Sequence, residues 1–224
     1  AQVSDDDVLK LISQTDSLYF TPGTQFKYSN TGFCLLTRIV EKVSGMKYPE
    51  FIRKNIFLPA GMKYATIYDK EKSIFQRAYG YHMKNNQWVF ADQSITSATM
   101  GDGSVYTSLN EYKKWLQWLW KQKFDDNVVN PFVAHARVKK GLDYGYGWFI
   151  ARESDGTTGY FHSGESTGFH NIVYHNPSKK FAVVIFSNCD DDRVSKALSE
   201  IIELLQVQLG DIPPGVSLFD FLSS

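Results

Sequence analysis

Two short polar stretches carry the side chains in this sequence that could do chemistry. Tyr28-Ser29-Asn30 offers a phenol, a hydroxyl and an amide, and His162-Ser163-Gly164 offers an imidazole and a second hydroxyl. Taken alone, three polar residues in a loop are ordinary loop chemistry. Their setting gives them more weight. Thr21-Pro22-Gly23-Thr24 reads as a turn, because proline presets φ and glycine accepts φ > 0. Gln25-Phe26-Lys27 can then run extended into the tyrosine. Behind Asn30, the residues Leu36, Ile39, Val40 and Val43 recur at the spacing of one buried helix face, and Gly45 is a natural stop. A phenol and an amide are thereby held at the mouth of a rigid helix.

Composition narrows the class of protein. The chain has 224 residues, with 24 Lys+Arg against 24 Asp+Glu, so no net field attracts nucleic acid or an anionic membrane. The high aromatic content, 16 Phe, 13 Tyr and 5 Trp, is that of a folded protein. Cys34 and Cys189 give neither a disulfide framework nor metal-ligand spacing, and Cys34 reads as a small core hydrophobe. The longest apolar run, Phe181 to Phe186, is too short to cross a bilayer. The chain starts with Ala rather than Met, as a processed chain or a fragment would. The compartment stays open.

The elements that must position the two stretches follow in order. Ser4 with Asp5, Asp6 and Asp7 predicts a capped helix over residues 4 to 14, with Val8, Leu9, Leu11 and Ile12 as its apolar face. Tyr48-Pro49-Glu50 opens another to about Phe57, which Leu58-Pro59-Ala60-Gly61-Met62 ends. Lys84-Asn85-Asn86 between aromatic runs predicts a hairpin. Gly101-Asp102-Gly103-Ser104 is a loop, without the lysine of a phosphate cradle. Ser108 and Glu111 predict a capping box, and Tyr112, Trp115, Leu116 and Leu119 one helix face. Trp115, Trp118 and Trp120 read as packing residues. A loop or short helical stretch is expected from Pro131 to Lys140.

From Tyr144 the period becomes that of strands. They are expected at Tyr146–Ile150, Gly159–His162, Asn171–Tyr174 and Phe181–Phe186, the last after an Asn176-Pro177-Ser178-Lys179 turn. Phe181–Phe186 is apolar at every position, as a central strand covered on both faces would be. Cys189-Asp190-Asp191-Asp192 reads as a helix start. Val194, Leu198, Ile201 and Leu205 mark a helix to about Leu209, followed by a tail, with Pro213-Pro214-Gly215, whose Leu218, Phe219 and Phe221 dock locally. His82, His135, His170 and His175 show no metal-site pattern, and His170 and His175 point to opposite faces of their strand.

The order Pro22-Gly23, Tyr28-Ser29-Asn30-Thr31-Gly32, a helix ending Glu41-Lys42-Val43-Ser44-Gly45, then Gly101–Ser108 and His162-Ser163-Gly164 with Gly168-Phe169, resembles the serine β-lactamase and penicillin-binding-protein family, in its class C and DD-peptidase branch. The likeness runs from Ser4 to about Leu209. It implies an α+β fold, an antiparallel sheet flanked by helices plus a mainly helical lobe, divided as 1–142 and 143–224. It implies a serine hydrolase working through an acyl-enzyme on peptide, ester or β-lactam substrates, with no cofactor. Tyr28 would be the proton shuttle, although a phenol of pKa near ~10 needs a neighbouring cation to act as a base. Asn30 would bind a substrate amide. His162 would polarise the site, Ser163 supply a hydroxyl, Gly164 admit the substrate backbone and the Glu165 N–H face the oxyanion.

Three departures follow from the same likeness. His162 in place of lysine points to peptidase or esterase relatives. Glu165 replaces a small residue, which weighs against carboxylate binding. The family's Ser-x-x-Lys precedes its tyrosine motif, yet none lies in the 27 residues before Tyr28. Ser44-Gly45-Met46-Lys47 has the spacing but sits at the wrong end of a helix. The chain therefore reads as the later two-thirds of a family member, with Phe181–Phe186 an edge for an N-terminal segment or another chain to pair with. A non-catalytic module that keeps the pocket is the alternative. The phenol and the imidazole-bearing strand are expected to face one cleft, and the family suggests a periplasmic or secreted protein.

Overall fold

The structure is a computed structural model, and it describes residues 2–122, 136–139, 141–191 and 193–204. The chain forms two compact units, Ala1–Arg77 with Ser94–Gln122, and Ala78–Gln93 with the chain from Lys123 onward. A single cut near residue 142 does not reproduce this division, because Ala78–Gln93 groups with the sheet.

The first unit is mainly helical. Helix α1 (Asp5–Ile12) has Ser4 as N-cap in a capping box with Asp7. Helix α2 (Asn30–Ser44) is capped by Ser29 and ends at Gly45, φ 68°. Arg38 of α2 bridges to Asp6 at 2.8 Å and to Glu41 at 2.7 Å, tying α1 to α2. Helix α3 (Tyr48–Ile52), with Pro49 in its first turn, continues as a π-helical turn over Arg53–Phe57. Strands β1 (Thr66–Ile67) and β4 (Val105–Tyr106) pair antiparallel. Helix α4 (Leu109–Leu119) completes the unit. Its core is Phe57, Ala60, Met62, Ala65 and Ile67, against which Trp115 and Trp118 pack, stacked at 5.4 Å.

Two helix faces differ from expectation. In α2 the buried residues are Cys34 and Thr37, while Leu36, Ile39 and Val43 are exposed. In α1 Asp5 is buried and Leu9 and Leu11 are exposed. The buried polar groups are satisfied in both. Asp5 accepts the Met100 N–H at 3.0 and 3.2 Å, and Thr37 donates to the Cys34 carbonyl at 2.7 Å. The predicted Ser108–Glu111 capping box is half formed. Ser108 accepts from Glu111 N, but the buried Glu111 carboxylate takes the Tyr64 N–H at 3.0 and 3.1 Å.

The second unit is a six-stranded antiparallel sheet, order β10-β9-β8-β7-β6-β5. Its strands are β5 (Ala136–Lys139), β6 (Leu142–Gly145), β7 (Trp148–Arg152), β8 (Thr158–Ser166), β9 (Phe169–Asn176) and β10 (Phe181–Ser187). Strand β5 falls where a loop was expected. The rest of that stretch, 131–135 with His135 and Lys140, lies outside the described residues, as do Asp192, Leu205 and the tail with Pro213–Phe221. The apolar strand β10 is not central; among the described residues it ends the sheet, half-buried along its whole length. The last helix, Arg193–Leu204, packs on β9 and β10, with the Asp191 carboxylate accepting from Arg193 N.

The hairpin of β2 (Tyr81–Lys84) and β3 (Gln87–Phe90) turns on Asn85 and Asn86, both at positive φ, as a two-residue turn requires. It is locked to the β8–β9 turn: a Cβ at Gly168 would lie 1.8 Å from the Ala91 carbonyl oxygen. At the other end of the strands, buried Glu153 accepts from the Tyr174 hydroxyl, from Asn176 at 2.8 Å and from Lys179 at 2.5 Å. Burial pushes the Glu153 carboxyl up, but these donors outweigh it and hold it below the usual range.

Candidate active site

In the first unit the tyrosine motif is built on the N-terminus of α2. Ser29 accepts from Gly32 N at 3.0 Å, so its hydroxyl is used by the helix cap. Asn30 is exposed in the first turn. Tyr28 is half-buried, and its phenol is pushed up first by burial and then by the Asp102 charge. It therefore holds its proton at neutral pH. Asp102 belongs to the glycine loop, which lies tight against α2: a Cβ at Gly101 would be 2.0 Å from the Phe33 carbonyl oxygen. The same loop brings Asp102, with Asp5, to the buried Cys34 thiol, which burial and these anions push up to about 12. Asp102 is thus a neighbour of Tyr28 that sequence reading placed in a loop without a role. Its only sequence signal was the glycine on either side.

The serine of Ser44-Gly45-Met46-Lys47 closes α2. Its Oγ accepts from Met46 N at 3.2 Å, and Lys47 begins α3 as N-cap. Nothing in this geometry activates Ser44 as a nucleophile.

In the second unit the His-Ser-Gly motif lies on β8, where pairing changes. Strand β7 accompanies β8 only as far as Phe149 opposite Phe161, whereas β9 continues to Phe169 opposite Ser166. Among the described residues, His162–Ser166 is therefore paired on one side. The His162 ring lies tilted against Phe149 at 5.3 Å and edge-on to Tyr144 at 6.2 Å. Its Nδ1 donates to the Ser163 carbonyl at 2.5 Å, which makes Nε2 the acceptor nitrogen of the neutral ring. Burial lowers its pKa, partly opposed by that carbonyl. His162 thus offers an acceptor, where a lysine would offer a fixed cation.

The next residues are the least explained by the fold. Ser163 is buried, and among the described residues its hydroxyl has no hydrogen-bond partner. Gly164 has ordinary dihedrals, and a Cβ there would approach nothing nearer than Asn171 Cβ at 4.0 Å. Glu165 pairs across the strands with the buried His170, whose Nε2 lies 3.1 Å from Glu165 Oε1. His170 was read from the sequence only as lacking a metal pattern. Cross-strand register is what brings it to Glu165.

A beta-lactamase family model matches residues 3–206. The chain belongs to the beta-lactamase family. It is 30% identical over 205 residues to penicillin-binding protein 4* of Bacillus subtilis, covering 85% of this chain and 46% of that protein. It is 26% identical over 212 residues to a D-aminopeptidase of Cereibacter sphaeroides, covering 93% and 40%. The fold matches the crystal structure of a penicillin-binding protein from Bacillus halodurans with a TM-score of 0.74 at 23% identity, over 88% of this chain and 63% of that one. The chain spans less than half the length of these two curated relatives. No helix among the described residues is long and apolar enough to cross a membrane.

Proposed function

We propose that this chain supplies the tyrosine motif and the substrate-binding strand of a serine hydrolase that cleaves amide or ester bonds through an acyl-enzyme. Ser44 does not fit the part of nucleophile, so the attacking serine comes from a Ser-x-x-Lys segment outside these residues. The edge of β10, apolar from Phe181 to Phe186, is where that polypeptide pairs. The observation that carries the reading is the buried Ser163 hydroxyl, without a partner among the described residues, beside a Gly164 whose backbone needs no glycine. A buried unsatisfied hydroxyl costs about 1–3 kcal/mol, and a ligand group would satisfy it.

In the reaction the serine Oγ bonds to the carbonyl carbon, and the C–N or C–O bond to the leaving group breaks. Water then hydrolyses the acyl ester. Tyr28 relays protons: it gives its own to the leaving group and takes the serine's in return. Its raised pKa excludes a resting phenolate but suits this relay, in which the phenol is never left ionised. Asn30 binds the substrate amide, and the Glu165 N–H faces the oxyanion. Gly164 lets the substrate backbone approach the one-sided stretch of β8.

Titration with a fluorescent penicillin and with an activated ester tests the reading. A stable covalent adduct on the protein carrying this chain supports it, and purely reversible binding supports a non-catalytic module instead. Tyr28→Phe in that protein is expected to lower turnover by about two orders of magnitude or more with nearly unchanged thermal stability. Unaltered turnover removes Tyr28 from the mechanism.

A further inference from the structure

The chain as a whole is balanced in charge, with 24 basic and 24 acidic residues, but one cleft of the helical unit is not. The cleft holds about 340 Å³, within the range of small-molecule pockets. One wall is the turn at Pro59 and Gly61. The other is Lys114, Gln117, Trp118 and Lys121, at the i, i+3, i+4, i+7 spacing along α4 and just past its end. Both walls are fixed. The Gly61 carbonyl accepts the Lys63 N–H and the Lys114 ammonium, each at 3.2 Å, and the Lys63 carbonyl accepts from the Arg53 guanidinium at 3.3 Å. Trp118 stacks on Trp115 and packs against the core, so its indole makes a rigid flank.

The charges are what the fold leaves unbalanced. From Arg53 to Lys63 the bases are Arg53, Lys54 and Lys63, with no acid among them. On α4 the one carboxylate is that of Glu111. It is buried, takes the Tyr64 N–H at 3.0 and 3.1 Å, and lies 3.9 Å from Lys114, at the limit of an ion pair. Arg53, Lys63 and Lys121 have no carboxylate partner among the described residues. An ammonium group only donates, and the Gln117 amide can donate beside it, so the cleft is suited to an anionic acceptor. Lysine binds phosphate as a point charge, whereas a planar carboxylate is gripped best by the arginine fork. The lining has two lysines and no arginine, with an indole flank for an organic group.

We propose that this cleft binds a phosphate ester, with the phosphate between Lys114 and Lys121 and the organic group against Trp118 and Pro59. A soluble phosphate monoester and a glycerophosphate lipid headgroup both present that chemistry.

The test titrates the protein carrying this chain with glycerol 3-phosphate, followed by calorimetry and by amide chemical shifts. A second arm uses vesicles of phosphatidylglycerol, with phosphatidylcholine vesicles as the blank. Saturable binding of glycerol 3-phosphate that shifts the amides of Gly61 and Gln117 and the Trp118 indole N–H supports the site and identifies a soluble ester. Binding to the anionic vesicles alone supports it and identifies a headgroup. In either case Lys121→Glu should weaken binding at least about tenfold, while Lys113→Glu, the same change of charge on α4 outside the cleft, should cost less than about twofold. Both positions are exposed, so neither variant is expected to lose its fold. Equal losses in the two variants would show a diffuse surface field and overturn the proposal. Acetate binding as tightly as glycerol 3-phosphate, or no binding in either arm, overturns it as well.

Discussion

The two motif-bearing regions are built on opposite principles. Around Tyr28 most polar groups are already used by the fold: Ser29 caps α2, Asp5 takes the Met100 N–H, and Cys34 is flanked by Asp5 and Asp102. Around His162 the fold leaves things over: a buried hydroxyl without a partner among the described residues, and a glycine where a Cβ would meet nothing nearer than Asn171 Cβ at 4.0 Å. A residue that folding already needs says little about a ligand. One that folding does not need says more. The second region is therefore the better evidence for a function, although both motifs look equally polar in the sequence.

Glycine substitutions should show the contrast most strongly. Gly101→Ala puts a Cβ 2.0 Å from the Phe33 carbonyl oxygen, and Gly168→Ala puts one 1.8 Å from that of Ala91 at φ +73°. Both neighbours are backbone and cannot swing aside. Each change is expected to cost about 3 kcal/mol or more in chemical denaturation. Gly164→Ala should change stability by less than about 1 kcal/mol, while slowing acylation by an activated ester. If Gly164→Ala proves as destabilising as the other two, that glycine is structural and the contrast collapses.

Acid should separate the regions next. The described histidines, His82, His162, His170 and His175, all belong to the sheet unit. His175 is buried between Tyr160 at 5.2 Å and Trp148 at 4.6 Å, and burial pushes its pKa down to about 4. The unfolded chain takes up the proton near pH 6.5 and the folded chain does not until about 4. The stabilisation is thus complete above about pH 6.5 and is lost as pH falls towards 4, by about 3 kcal/mol. His162 shifts the same way. Amide exchange followed from pH 7 to pH 4.5 should show the sheet loosening before the helical unit, and His175→Phe should flatten that dependence. Equal loosening of both units would show that the histidines do not govern it.

What the sequence revealed divides along a similar line. Locally determined features were legible: the Asn85-Asn86 hairpin, the Ser4 cap and the stop at Gly45. Features set by distant partners were not. The period in α2 was that of a helix, but a period does not say which side meets its own chain. Cys34 and Thr37 went inside while Leu36, Ile39 and Val43 stayed out. Glu111 had the right spacing for a capping box, yet its carboxylate was claimed by Tyr64, remote in sequence. Strand β5, Ala-Arg-Val-Lys, is too short and polar to announce itself, and it forms because β6 lies beside it. In the candidate site the motif residues were readable. The Glu165–His170 pair and the neighbourhood of Asp102 were not, because register and loop packing create them.

The smallest expected effect discriminates most finely, because it sets the two serines of the motifs against each other. Ser29→Ala removes the oxygen that takes the Gly32 N–H at 3.0 Å, so it should lower stability by about 1 kcal/mol. Ser163→Ala removes a buried hydroxyl that accepts and donates nothing among the described residues, so it should leave stability unchanged or raise it by about 1 kcal/mol. The activities should run the other way, with acylation nearly intact in Ser29→Ala and reduced in Ser163→Ala. Paired urea melts and acylation rates on the two variants read both quantities. If Ser163→Ala is destabilised like Ser29→Ala, the hydroxyl has a structural partner and the case for a ligand at β8 loses its main support. If it is stabilised and still acylates at the normal rate, the hydroxyl is an idle group, and the case falls on Gly164 alone.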